Sequence, residues 1–163
     1  MATAIDTSKV TGRRTLHFHS LDDISADVEH LAGSPGIKTL GNWSAGQTFE
    51  HLARNFNKSI DGYDHLLPAV LRFVARVLVK KRFLTQPMSA GFKLGAKSSA
   101  ELVPDETSDE AGLRDIRQAI KRLQTETKRS SMPVLGPLTV DEWTQLHCRH
   151  AELHLSFLVP TGS

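Results

Sequence analysis

The chain has 163 residues, 39% apolar and 23% charged, with a net charge of +2. That balance suits one domain with a core of its own, and it excludes a disordered chain or a strongly basic one that demands a nucleic acid partner. Cys148 stands alone, which rules out a disulfide within these residues and fits a reducing compartment. Residues 1–6 lack the apolar core of a signal peptide, and no stretch is apolar enough to span a bilayer, so a cytoplasmic protein without a membrane partner is expected.

Residues 1–12 are polar and are expected to be a flexible N-terminus ahead of a single domain over 13–160. Arg13 to His19 alternates and can be extended; His17 and His19 would then share a face, although such a segment packs along a domain more often than it donates ligands. Ser20 and Asp23 mark the start of a first helix, with Leu21, Ile24, Val28 and Leu31 at helical spacing and Gly33 as its stop. Ser34-Pro35-Gly36 reads as a turn. Ser44, with Gln47 three residues on, starts a second helix that runs to about Gly62 on a stripe of Phe49, Leu52, Phe56, Ile60 and Tyr63. His51 falls on the opposite side beside Gln47, Asn55 and Lys58. Such a stripe either faces water or lines a wet cavity within a bundle.

Residues 65–84 carry a third helical pattern of Leu66, Leu67, Val70, Leu71, Val74, Val77 and Leu78, with Pro68 tolerable in the first turn. From His65 to Ala100 there are seven Lys or Arg (72, 76, 80, 81, 82, 93 and 97) and no acidic residue. A bundle helix with a solvated basic face is the preferred reading; a helix lying on a membrane surface is the weaker one. Residues 85–108 form a long connection rich in Gly, Ser and Pro, of the kind that closes over sites, but without the spacing of a phosphate-binding loop. Ser108 or Asp109 caps a fourth helix to about Lys128, with Leu113, Ile116, Ile120 and Leu123 inward. Residues 130–137 break it.

The last helix opens at Thr139, with Glu142 completing a capping box, and meets no Gly or Pro before Pro160. His150 and His154 are four apart and lie one above the other, with His147 one turn earlier and near the same face. Two imidazoles at this spacing can share one metal ion. The metalloprotease pattern His-Glu-x-x-His is absent, because Ala151 follows His150. A His-rich surface face is the competing reading. Glu152 is expected to point away from the histidine face into solvent, Cys148 and Trp143 to pack in the core.

These pieces resemble a known family. Arg14-Thr15-Leu16-His17-Phe18, Gly41-Asn42-Trp43-Ser44-Ala45-Gly46-Gln47, His51-Leu52-Ala53, Leu138 to Trp143 and His150 to Leu155 together resemble the DUF1569 branch of the DinB/YfiT-like metalloprotein superfamily, over about residues 13–158. The resemblance implies an all-α, DinB-like up-down four-helix bundle with a short N-terminal extension and a long loop between helices. It implies a divalent metal, Zn or Ni, held by His51, His150 and His154 with an open position for water, thiol or a small-molecule substrate. The activity implied is a hydrolase or a thiol-dependent transferase, with a low-molecular-weight thiol as a cofactor compatible with the basic segment. His147 is a candidate for a supporting or general-base role. The alternative is a non-catalytic bundle acting in binding or dimerisation with a vestigial metal site; a homodimer is compatible with either.

Overall fold

A computed structural model of the chain describes residues 4–91 and 101–162. The fold is mostly helical. Among the described residues there are five α-helices, α1 (Leu21–Ala32), α2 (Ala45–Asp61), α3 (Ala69–Thr85), α4 (Asp109–Thr125) and α5 (Val140–Leu155), and two short strands, β1 (Gly36–Thr39) and β2 (Leu158–Thr161).

The helix starts follow from local chemistry. Ser20, Ser44 and Thr139 each accept from the backbone N–H three residues on, and Asp23, Gln47 and Glu142 reach back to the cap. Each reciprocal pair satisfies two backbone donors that the first turn leaves orphaned. Ser108 caps α4 through Ala111 N–H. α2 ends at Gly62, whose φ of 115° is closed to most side chains. α3 starts one residue after Pro68 and has no side-chain cap.

Helices α1, α2, α4 and α5 share one apolar core, with Ile24, Phe49, Phe56, Ile116 and Leu155 among its fully buried members. α2 and α4 cross at Gly46 and Gly112, where a Cβ on Gly112 would stand 2.2 Å from the Gly46 carbonyl oxygen. Only glycine permits that approach. A smaller second cluster of Leu84, Leu135, Leu138, Trp143 and Leu146 joins the end of α3 to α5. The break at residues 130–137 is a turn closed by Met132 and Gly136, and Ser130 O accepts from the Trp143 indole.

The sheet departs from the all-α expectation. β1 pairs antiparallel with β2, Gly36 opposite Thr161 and Thr39 opposite Leu158. Two four-residue strands are too short to show a period-2 pattern, and their pairing joins segments more than a hundred residues apart. Residues 13–19 belong to no strand. They run along α5: Phe18 is buried, and Arg14 grips Asp27 through two bonds of 2.6 and 2.7 Å. A 3-10 turn at Thr7–Lys9 precedes them, and Ile5 exchanges two hydrogen bonds with the Asn42 side chain.

Candidate metal centre

α2 and α5 pack so that one turn of each meets at a single point. His51, from the middle of α2, and His150 and His154, one turn apart near the end of α5, bring one ring nitrogen each within 4.8 Å of one another. His51 is 3% exposed, and the two α5 histidines are partly buried. The polar stripe of α2 therefore faces inward at His51, away from bulk water.

The His51 ring is oriented from outside the triad. Its Nδ1 lies 2.9 Å from the Leu102 carbonyl oxygen. A carbonyl only accepts, so Nδ1 carries the proton and Nε2 presents its lone pair to the centre, with the Asn55 amide N–H 3.5 Å away as a further donor to it. That Nε2 is 3.2 Å from His150 Nε2. Two nitrogens on one tetrahedral zinc, each roughly 2.0–2.1 Å away, stand about 3.3 Å apart. The facing lone pairs are reconciled by a proton on one ring or by a cation between them.

All three imidazoles are held below their ordinary pKa. For His51 the main cause is loss of water, with the Arg54 charge adding to it. Burial comes first for His150 as well, then the charges that His154, His51 and His147 would carry. For His154 the causes are burial, then His51 and Arg13. Neutral imidazole is the form that ligates a metal. The donor set, the 3.2 Å separation of His51 from His150 and the neutral rings fit a borderline divalent ion, and three protein ligands leave at least one position open.

Trp43 covers the group, its ring 4.8 Å from His51 and stacked 5.6 Å from His154. Trp43 precedes the cap Ser44, so the start of α2 fixes its place. Arg13 sits beyond His154, over the Phe157 ring at 4.2 Å, and donates to Ser156 Oγ and the Leu153 carbonyl.

The other singled-out residues lie elsewhere. His147 is 3% exposed and is not one of the three clustered rings. Ser59 Oγ–H donates to the Phe56 carbonyl, so the 3.0 Å contact between His147 and Ser59 Oγ has His147 Nε2–H as donor. The ring is wedged between Trp143 and Phe56, and burial pushes its pKa down to about 3. His17 and His19 pack edge to face, with His17 beside Arg149 and Glu152 rather than at the triad. Cys148 is core, its thiol pushed up to about 11 by burial, which makes it a poor nucleophile.

Glu152 corrects the expectation of a solvated carboxylate. It is 7% exposed, pairs with Arg149 at 2.6 Å, and accepts the Phe18 N–H at 2.6 Å. Arg149 also donates to the Phe18 carbonyl. The N-terminal segment closes over this side of α5, so the helical wheel of α5 alone misplaces the residue. Leu102 and Trp43 are the residues that sequence reasoning missed at the site. A backbone carbonyl leaves no residue signature. Trp43 did leave one, its place directly before a capping serine.

The family model described as "Protein of unknown function (DUF1569)" matches residues 10–161. No curated protein and no solved structure matches the chain.

Proposed function

The chain belongs to the DUF1569 family, and from that premise and the triad we propose that it is a metal-dependent enzyme of the DinB-like class, binding Zn or Ni through His51, His150 and His154. The observation that carries this reading is the convergence of three neutral imidazole nitrogens within 4.8 Å on a partly open face. A divalent ion held there supplies Lewis acidity at neutral pH, the resource shared by hydrolysis and by transfer to a thiol.

The chain's own residues have definable tasks in this reading. Leu102 O keeps His51 in the Nδ1–H tautomer, so Nε2 stays directed at the centre. Trp43 shields one side from water and stacks along His154. The guanidinium of Arg13, near His154, favours an anionic group at the mouth of the site, which suits a carboxylate-bearing substrate or thiol. Cys148 takes no part, because it is buried in the core with its thiol protonated.

The test is metal content by mass spectrometry of protein purified without an affinity tag, wild type beside His150→Ala. Near-stoichiometric Zn or Ni in the wild type, absent from the variant, is the expected result. No bound metal even after incubation with Zn or Ni would overturn the enzyme reading and leave a helical binding module.

A further inference from the structure

α3 presents its apolar side outward. Val70, Leu71, Phe73, Val74, Val77 and Leu78 are between 44% and 74% exposed. At 100° per residue they form one continuous face about 160° wide. The opposite side, with Ala75, Val79 and Phe83, packs on the second cluster. Leu66 and Leu67, 44% and 42% exposed, extend the apolar surface at the start of the helix. Scattered apolar side chains on a surface need no explanation, but a contiguous face of this size marks an interaction site.

The charges around this face say what it meets. Lys80 is tied to Glu142, and Arg72 turns inward toward Ser131. Arg76, Lys81 and Arg82 are exposed and make no ion pair within 4.0 Å among the described residues, the Arg76 charge also acting on Glu142 from farther away. Arg76 and Arg82 project to the two flanks of the apolar face, and Lys81 stands at its C-terminal end. α3 contains no acidic residue. A second copy of the same helix would offer these cations no carboxylate. An anionic surface complements them, and an apolar centre edged by long cationic side chains that snorkel outward suits the boundary between headgroups and acyl chains. No described helix is long and apolar enough to cross a membrane, which leaves an in-plane geometry.

We propose that the outward face of α3 docks the protein on an anionic lipid bilayer, with Phe73, Val74 and Val77 inserted among the acyl chains and Arg76, Lys81 and Arg82 at the phosphates. This reading rests on α3 alone and is independent of metal at the histidine triad.

The experiment is co-sedimentation of the full chain with vesicles of phosphatidylcholine alone and of phosphatidylcholine mixed with phosphatidylglycerol, with light scattering of the vesicle-free protein in parallel. Binding is expected only to the anionic vesicles, weakening as salt is raised. Arg76→Gln, Lys81→Gln and Arg82→Gln should each weaken it roughly five-fold, and the triple variant on the order of a hundred-fold. Phe73→Glu with Val77→Glu should abolish binding and leave the thermal transition unchanged, because both side chains are already exposed. Absence of binding to anionic vesicles overturns the proposal. So does a vesicle-free dimer that Phe73→Glu with Val77→Glu dissolves, since the face would then belong to a second copy. Equal binding to neutral vesicles would remove the role assigned to the cations.

Discussion

Helices α5 and α3 pack against each other and are nearly equal in length, yet they divide their side chains in opposite ways. α5 buries His147, Arg149 and Glu152 and brings His150 and His154 to an interior cluster. α3 buries one residue, Leu84, and turns its valines, leucines and Phe73 outward. Polarity inside α5 is tolerable because most of its buried groups have partners: Glu152 has Arg149 and Phe18 N–H, and His147 has Ser59, while Arg149 Nε is left without one. Apolarity outside α3 has no partner among the described residues. Buried polar groups report contacts already made within the fold; exposed apolar ones mark the face on which the docking proposal rests.

The largest effect expected from breaking this contrast is in the buried pair of α5. Arg149→Ala leaves the Glu152 carboxylate buried without its cation and should cost about 3–5 kcal/mol, read by denaturant unfolding. Replacing both partners with methionine should return most of that loss, since no uncompensated charge remains. A loss below about 1 kcal/mol for the single variant would mean that water reaches Glu152 and that α5 is not closed on this side.

Acid should act next. His147 keeps its neutral form down to about pH 3 in the fold, whereas an unfolded histidine takes a proton near 6.5. The unfolded state therefore binds more protons as pH falls through this window, and stability drops with it. Between pH 7 and pH 5 this one residue should contribute a loss of about 2 kcal/mol. The measurement is the unfolding midpoint across that range for wild type and His147→Asn, whose slope should be shallower. Equal slopes would place His147 in contact with solvent.

The smallest effect belongs to α3. Val70→Gln and Leu78→Gln, both at positions 74% exposed, should change stability by no more than about 0.5 kcal/mol. A cost of several times that would show that the face is covered within the protein, and the difference between the two helices would collapse.

Much of this was legible in the chain. Ser20, Ser44 and Thr139 with their acidic or amide partners three residues on announce helix starts, because a capping box is a local event. The i, i+4 spacing of His150 and His154 sets two rings on one face by helix geometry alone. Convergence with His51 was carried by resemblance, since nothing local to α2 says where its polar stripe points. The apolar pattern of α3 was visible too, but a period identifies a face without saying what it faces.

The sequence by itself determined where the capped helices begin, which side of each is apolar, and that two histidines stand together, all consequences of short-range backbone and side-chain chemistry. The third pattern, read over 65–84, starts only at Ala69, and the fourth, read to about Lys128, ends at Thr125. Tertiary structure alone decided that His51 meets them with its ring set by the Leu102 carbonyl, that Glu152 is sealed under Phe18, that β1 finds β2, and that α3 keeps its apolar face outside. Those outcomes depend on contacts between segments distant in the chain, which a local pattern does not encode.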